Sequence, residues 1–110
     1  PCLLALAMDE YESVLEKGVT MSHQDINIMR NYPDIQSAGA AIQNILLSAV
    51  DMGYGACWMS APMIAKEELE NIIGIEKSTH LIAFVAVGVP AKDIKSKEKK
   101  PVDEIFRLID

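Results

Sequence analysis

The sequence predicts a layered fold of the α/β or α+β class, with helices laid against a central sheet. Three features point to it. CLLALAM (2–8) and LIAFVAVGV (81–89) are short continuous apolar runs, the pattern of strands buried on both faces. Between them Ile35, Ala38, Ile42, Ile45, Ala49 and Met52 recur at alternating steps of three and four, the apolar stripe of an amphipathic helix.

Taken in order, CLLALAM opens as a strand with no lead-in residue. That suggests upstream sequence, with removal of an initiator Met before Pro1 as the alternative. DEYESVLEKG reads as a helical piece closed by Gly18. Residues 19–33 are mixed in character and read as loop and turns. Pro33 and Asp34 then open the long helix, and Gly53 ends it. Ala41 and Leu46 widen its stripe. GACWM (55–59) reads as a short strand broken by SAP. AKEELENIIG follows as a helix, with Glu67 and Glu68 in its first turn and Gly74 as its cap. LIAFVAVGV is the clearest strand. Pro101 starts a last helix with Val102, Ile105, Phe106 and Ile109 on one face.

Composition narrows the function. The chain has 110 residues, half of them hydrophobic, and a formal net charge of −6. It is long enough for one domain with a core. Its acidity argues against nucleic-acid or membrane-surface binding, both of which need a positive face. The longest apolar run, 81–91, is too short to span a bilayer, and the apolar start lacks the basic lead of a signal peptide. Cys2 and Cys57 form no CxxC and no metal spacing, which suggests reduced thiols in a cytoplasmic protein.

Most constellations have ordinary readings. Cys57 has no neighbouring cation to activate it and reads as a packed thiol. Trp58 reads as a core or interface residue. His23 and His80 lack an i, i+4 partner of the zinc-binding sort. Asp103 and Glu104, like Glu67 and Glu68, offset a helix dipole. Gly39, inside the long helix, costs about 1 kcal/mol relative to Ala, so something should approach it closely. Tight core packing is the simplest answer; a ligand ring and a subunit contact are the alternatives.

The segment PAKDIKSKEKKP (90–101) stands apart. It holds Lys92, Lys95, Lys97, Lys99 and Lys100, half of the ten basic residues in an acidic chain. A solvated loop would explain it. Its place between a strand end and a helix start also suits an anion. Asp103 and Glu104 already occupy that helix terminus, so the lysines would do most of the work, and a phosphate is the simplest guess.

Several of these residues resemble a family when read in order. SAGAAIQNILLSAVDMGYGACWMSAP, ELENIIGI, LIAFVAVGVP and KEKKPVDEIF look like the C-terminal half of the nitroreductase family. The likeness covers about residues 34–106, and CLLALAMD is similar to the strand before them. No single motif is highly specific, but the ordered set is fairly so. The resemblance implies an α+β, nitroreductase-like fold with a central sheet flanked by helices, FMN as cofactor and a homodimer. It implies that Lys99, and Lys97 as a second position, contact the FMN phosphate. Lys99 replaces a more usual Arg and offers a point charge without a bidentate fork. Met59, Ser60, Ala61, Pro62 and Met63 would lie against the flavin ring, mainly through backbone groups.

The implied reaction is reduction of FMN by NAD(P)H, followed by electron transfer to a small-molecule acceptor such as a nitroaromatic or quinone. No catalytic side chain and no metal are implied. The Arg-rich phosphate segment and the Ser/Asn-containing flavin segment of the family's N-terminal half are not among these 110 residues. Residues 1–110 are therefore expected to be the C-terminal portion of a single domain. A non-redox flavin-binding relative, or a non-enzymatic α/β dimerisation module, are the alternative functions.

Overall fold

The structure is a computed structural model and describes residues 1–92 and 95–109. Asp93, Ile94 and Asp110 lie outside the described residues. Three strands form one sheet: β1 (Cys2–Asp9), β2 (Gly55–Met59) and β3 (Thr79–Gly88). Their order is β1-β3-β2 and both pairings are antiparallel, which places the fold in the α+β class. Among the described residues four α-helices accompany them: α1 (His23–Met29), α2 (Pro33–Asp51), α3 (Lys66–Ile73) and the single turn α4 (Val102–Ile105). Short 3-10 turns run over Val14–Gly18 and Ala61–Ala65.

The core lies where α2 crosses one face of the sheet. Ile42, Ala83 and Val85 are at most 1% exposed, and Leu6, Ile45, Leu46, Ala56, Ile82 and Val87 pack around them. The register slips between Leu6 and Ala7, leaving Ile82 without a partner on β1. This bulge lets the consecutive residues Ile82 and Ala83 both serve the α2 side. The helical stripe behaves as its period requires: Ala38, Ile42 and Ala49 are buried and Ile45 half-buried, while Ile35 and Met52 at the ends stay exposed. Gly53, with φ of +81°, reverses the chain into β2. The ring that approaches Gly39 is the chain's own Trp58. A Cβ built on Gly39 would stand 3.5 Å from Trp58 Cη2, an ordinary contact.

β2 ends opposite Phe84, so the first half of β3 loses its neighbour on that side. The 3-10 turn Ala61–Ala65 and α3 take that place. The Glu70 carboxylate on α3 accepts the Leu81 backbone N–H at 2.7 Å. An edge donor that would otherwise be buried without a partner is thereby satisfied.

Five expectations are corrected. β1 is not buried on both faces: Leu3 is 59% and Leu4 39% exposed, because β1 is an edge strand and only the α2 side of the sheet is covered near it. Residues 9–18 form no full helix: Asp9 ends β1, and only the 3-10 turn Val14–Gly18 follows. The span 19–33 is not all loop. Ser22 caps α1 by accepting the Asp25 backbone N–H at 3.1 Å. The last helix stops after Ile105, where Phe106 turns extended, and Val102, Ile105, Phe106 and Ile109 are all exposed. Cys57 is exposed rather than packed. Cys2 and Cys57 sit on the two outer strands with β3 between them, too far apart for a disulfide.

The molecule is flat, with extents of 52 × 51 × 24 Å and a radius of gyration of 17.9 Å. A compact chain of this length has a radius near 13 Å, by scaling about a quarter smaller. The exposed area is 9218 Å², against about 6000 Å² for a compact monomer of this mass.

Two substitutions test this packing. Ile42→Ala, at a site with no exposure, should lose about 2–5 kcal/mol of stability in chemical denaturation. Gly39→Ala should be neutral or gain up to about 1 kcal/mol, because helix propensity rises and the new methyl meets Trp58 at contact distance.

Candidate functional site

Met59 closes β2, paired with Phe84, and the chain then enters the Ala61–Ala65 turn. Ser60 starts the turn by accepting the Met63 N–H at 3.0 Å. Pro62 stands in the first positions of the turn, where its missing N–H leaves no unmet donor. Met59, Pro62 and Met63 are half-buried, while Ser60 and Ala61 are exposed. The five residues expected to face a ring thus form one continuous ledge at the end of β2. The next residue, Ile64, is 96% exposed. Sequence reasoning passed over it. The available signal was an aliphatic residue directly after SAPM, in a turn that already has Pro62 and Met63 to pack inward.

Lys97 and Lys99 lie in an exposed segment without regular secondary structure that leads to Pro101. Among the described residues the ion pairs involve His23, His80 and Lys66 as the basic partners. The two lysines are therefore not drawn into the ion pairs that hold the body together. α4, which follows them, packs no broad surface on another element.

The five ledge residues are consecutive, and among the described residues the cavities beside the sheet do not include Lys97 or Lys99 in a common lining with the ledge. What the structure does fix is the origin of each segment. The lysine segment leaves β3 beyond Gly88, which pairs with Gly55 at the start of β2, while the ledge begins at Met59 at the end of β2. The two origins are separated by the length of β2, roughly 13 Å at strand rise. Pro90 anchors the first of them: a Cβ on Gly55 would meet Pro90 Cγ at 3.1 Å. Gly55 is thus the close approach that seats the root of the lysine segment.

His23 and His80, read as isolated in sequence, each have a carboxylate partner. His23 Nδ1 lies 2.9 Å from Glu16 Oε2, and His80 Nε2 lies 3.5 Å from Glu10 Oε1. Among the described residues no group of three or more His, Cys, Asp or Glu could hold a metal ion, and no helix is long and apolar enough to cross a membrane.

Comparison with known proteins decides the family. The family model described as "Nitroreductase family" matches residues 29–89, more than half of the chain. The chain belongs to the nitroreductase family. YfhC of Bacillus subtilis (strain 168), named as a candidate NAD(P)H nitroreductase, is 24% identical over 83 residues, covering 76% of this chain and 43% of its own length. A BluB-like flavoprotein from Clostridium difficile 630 shares 35% identity. It superposes with a TM-score of 0.76 over 98% of this chain and 53% of the flavoprotein. A candidate nitroreductase from Desulfovibrio desulfuricans, solved in complex with FMN, gives a TM-score of 0.67 at 24% identity, over 94% of this chain and 52% of its own. The chain thus has a nitroreductase-like α+β fold and spans about half the length of the relatives it matches.

The Gly55–Pro90 contact gives a direct test. Gly55→Val should displace Pro90 and shift the backbone NMR resonances of residues 89–92 and 95–101. Gly18→Val, at a glycine with nothing within 4 Å of an added Cβ, should leave them in place.

Proposed function

We propose that this chain is part of an FMN-dependent oxidoreductase that takes electrons from NAD(P)H and passes them through the flavin to a small organic acceptor, a nitroaromatic or quinone. The observation that carries the reading is the family match over residues 29–89, joined to 35% identity with a flavoprotein across nearly the whole chain.

The residues present suit the cofactor. FMN is elongated, with an apolar ring at one end and a dianionic phosphate at the other. Met59, Ser60, Ala61, Pro62 and Met63 would form a ledge for the ring. Lys97 and Lys99 would supply positive charge for the phosphate on an otherwise acidic chain. When bound, the flavin supplies the electron-transfer chemistry, accepting from the nicotinamide and giving to the acceptor. The protein's own work is to hold the ring, neutralise the phosphate and shield the site from water. That division suits a chain with no nucleophile–base pair in the ledge.

We further propose that residues 1–110 are the C-terminal portion of one domain, and that the protein is a homodimer. The excess exposed area is about 3000 Å². An obligate interface takes roughly 1000–2500 Å² from each partner. A second copy therefore accounts for much of the open surface, and further chain of the same domain for the rest. The exposed lysine segment contributes part of the excess as well.

A second reading has one observation in its favour. The 35%-identical structure is named a flavoprotein, not a reductase. A protein that binds flavin without NAD(P)H turnover fits that likeness equally well.

The purified full-length protein should carry flavin absorbance and oxidise NADH or NADPH when menadione or a nitroaromatic is supplied. Bound flavin without turnover would favour the second reading, and absence of flavin would overturn both. Lys97→Ala with Lys99→Ala should weaken FMN binding at least tenfold, with circular dichroism unchanged. Unaltered flavin affinity would remove the lysines from the site.

A further inference from the structure

A cavity of about 230 Å³ lies at the far end of the sheet, away from the root of the lysine segment. Met8 from β1 and Ile82 from β3 form part of its apolar lining, Ile35 and Tyr32 come from the start of α2, and His23 and Asn27 from α1 close one side. α1 is a weakly held wall. It is seven residues long and buries only Ile26. It joins α2 through Asn31 and Tyr32, two consecutive residues in the left-handed region with φ of 61° and 56°. That conformation is unfavourable for side-chain-bearing residues. An element with one buried anchor and a strained junction opens more readily than the core.

Besides Ile26, polar contacts at His23 tie α1 to the Val14–Gly18 turn. The Glu16 carboxylate is held by the Ser13 backbone N–H, which donates to Oε1 at 2.8 Å. Its other oxygen faces His23 Nδ1 at 2.9 Å. His23 Nε2 in turn lies 2.7 Å from the Asn27 side-chain nitrogen, one turn along α1; that amide donates to the neutral ring and, turned over, accepts through Oδ1 from the protonated one. The Glu16 side chain is 10% exposed and that of His23 43%, so the contact sits at the margin of solvent.

We infer that Glu16 and His23 form a latch that holds α1 closed over this cavity and loosens when the imidazole loses its proton. In the protonated state the Nδ1–H to carboxylate bond is charge-assisted, and such bonds are the stronger class. The neutral ring keeps a hydrogen bond but loses the charge. The surroundings favour the cation. Asp34 from α2 and Glu10 beyond β1 both add negative charge near His23. Lys66 from α3 lines the same cavity and opposes it, but lies 3.7 Å from Glu70; His80 from β3 also lines the cavity and faces Glu10.

The titration directions agree with this geometry. Hydrogen bonding to Glu16 holds the His23 pKa above its ordinary value of 6.5. The Ser13 backbone bond, then His23, hold Glu16 below its ordinary 4.5. A raised histidine contributes stability that is complete below pH 6.5 and is lost as pH climbs through the higher folded value. A lowered carboxylate contributes stability that is present above pH 4.5 and is lost as pH falls through the lower folded value. The latch is therefore tightest in the mildly acidic interval and loosens toward neutral and alkaline pH.

Hydrogen exchange of the α1 amides in the full-length protein, corrected for intrinsic exchange, reads this directly. Between pH 5.5 and 8 the opening equilibrium of α1 should rise roughly two- to fivefold, the range open to an exposed ion pair, while the β3 amides stay constant. His23→Gln should abolish the pH dependence. Should that variant fail to fold, Glu16→Gln gives a second route: the His23 Cε1 proton should titrate at a lower midpoint than in the wild type. Protection of α1 that does not vary with pH, a pH dependence that survives His23→Gln, or an unmoved His23 midpoint in Glu16→Gln would each overturn the latch.

Discussion

Everything in this molecule hangs on the contact between α2 and one face of a three-stranded sheet. Ile42 enters the space over Ala83 and Val85, and the bulge at Ile82 adds a further side chain to the same layer. From that contact follow the antiparallel pairings, the seat of Trp58 against Gly39, and the direction in which β2 delivers the ledge at Met59–Met63. The contact is also one-sided. The opposite face of the sheet is open at Leu3 and Cys57, which are exposed, although Phe84 on that face of β3 is buried. A chain that folds around a half-covered sheet leaves apolar area that water does not favour. The likeness to proteins about twice as long, and the proposed second copy, both bear on that surface.

The regular elements with strong local signals were legible in the sequence. The three-and-four stripe from Ile35 to Met52 became α2, GACWM became β2, LIAFVAVGV became the central strand, and Gly53 and Gly74 reversed the chain with positive φ. The misreadings have a common cause. An apolar run such as CLLALAM records what a strand buries in its final assembly, whereas exposure in one chain depends on which neighbours are present. Residues 19–33 concealed α1 because only Ile26 is buried there, so no stripe marks it, and Ser22 with Asp25 was the lone signal. The helix expected after Pro101 is one turn long, and none of its residues is buried.

The family was legible in a different way. The order of motifs, rather than any periodicity, pointed to the nitroreductase family, and the family match bears that out. Ile64 and the Glu16–His23 pair escaped notice because their significance is spatial. One is an aliphatic side chain left outside by its turn. The other joins residues seven apart through a carboxylate that the backbone of Ser13 holds in place.

The central claim is that the open sheet and helix surfaces of this chain are covered in a dimeric flavoprotein. Sedimentation equilibrium of the full-length protein, followed at a protein wavelength and at the flavin band, tests it most directly. The account predicts a dimer at micromolar concentration, with flavin sedimenting at the same mass. A flavin-bearing monomer at that concentration, or a dimer without flavin, would contradict it.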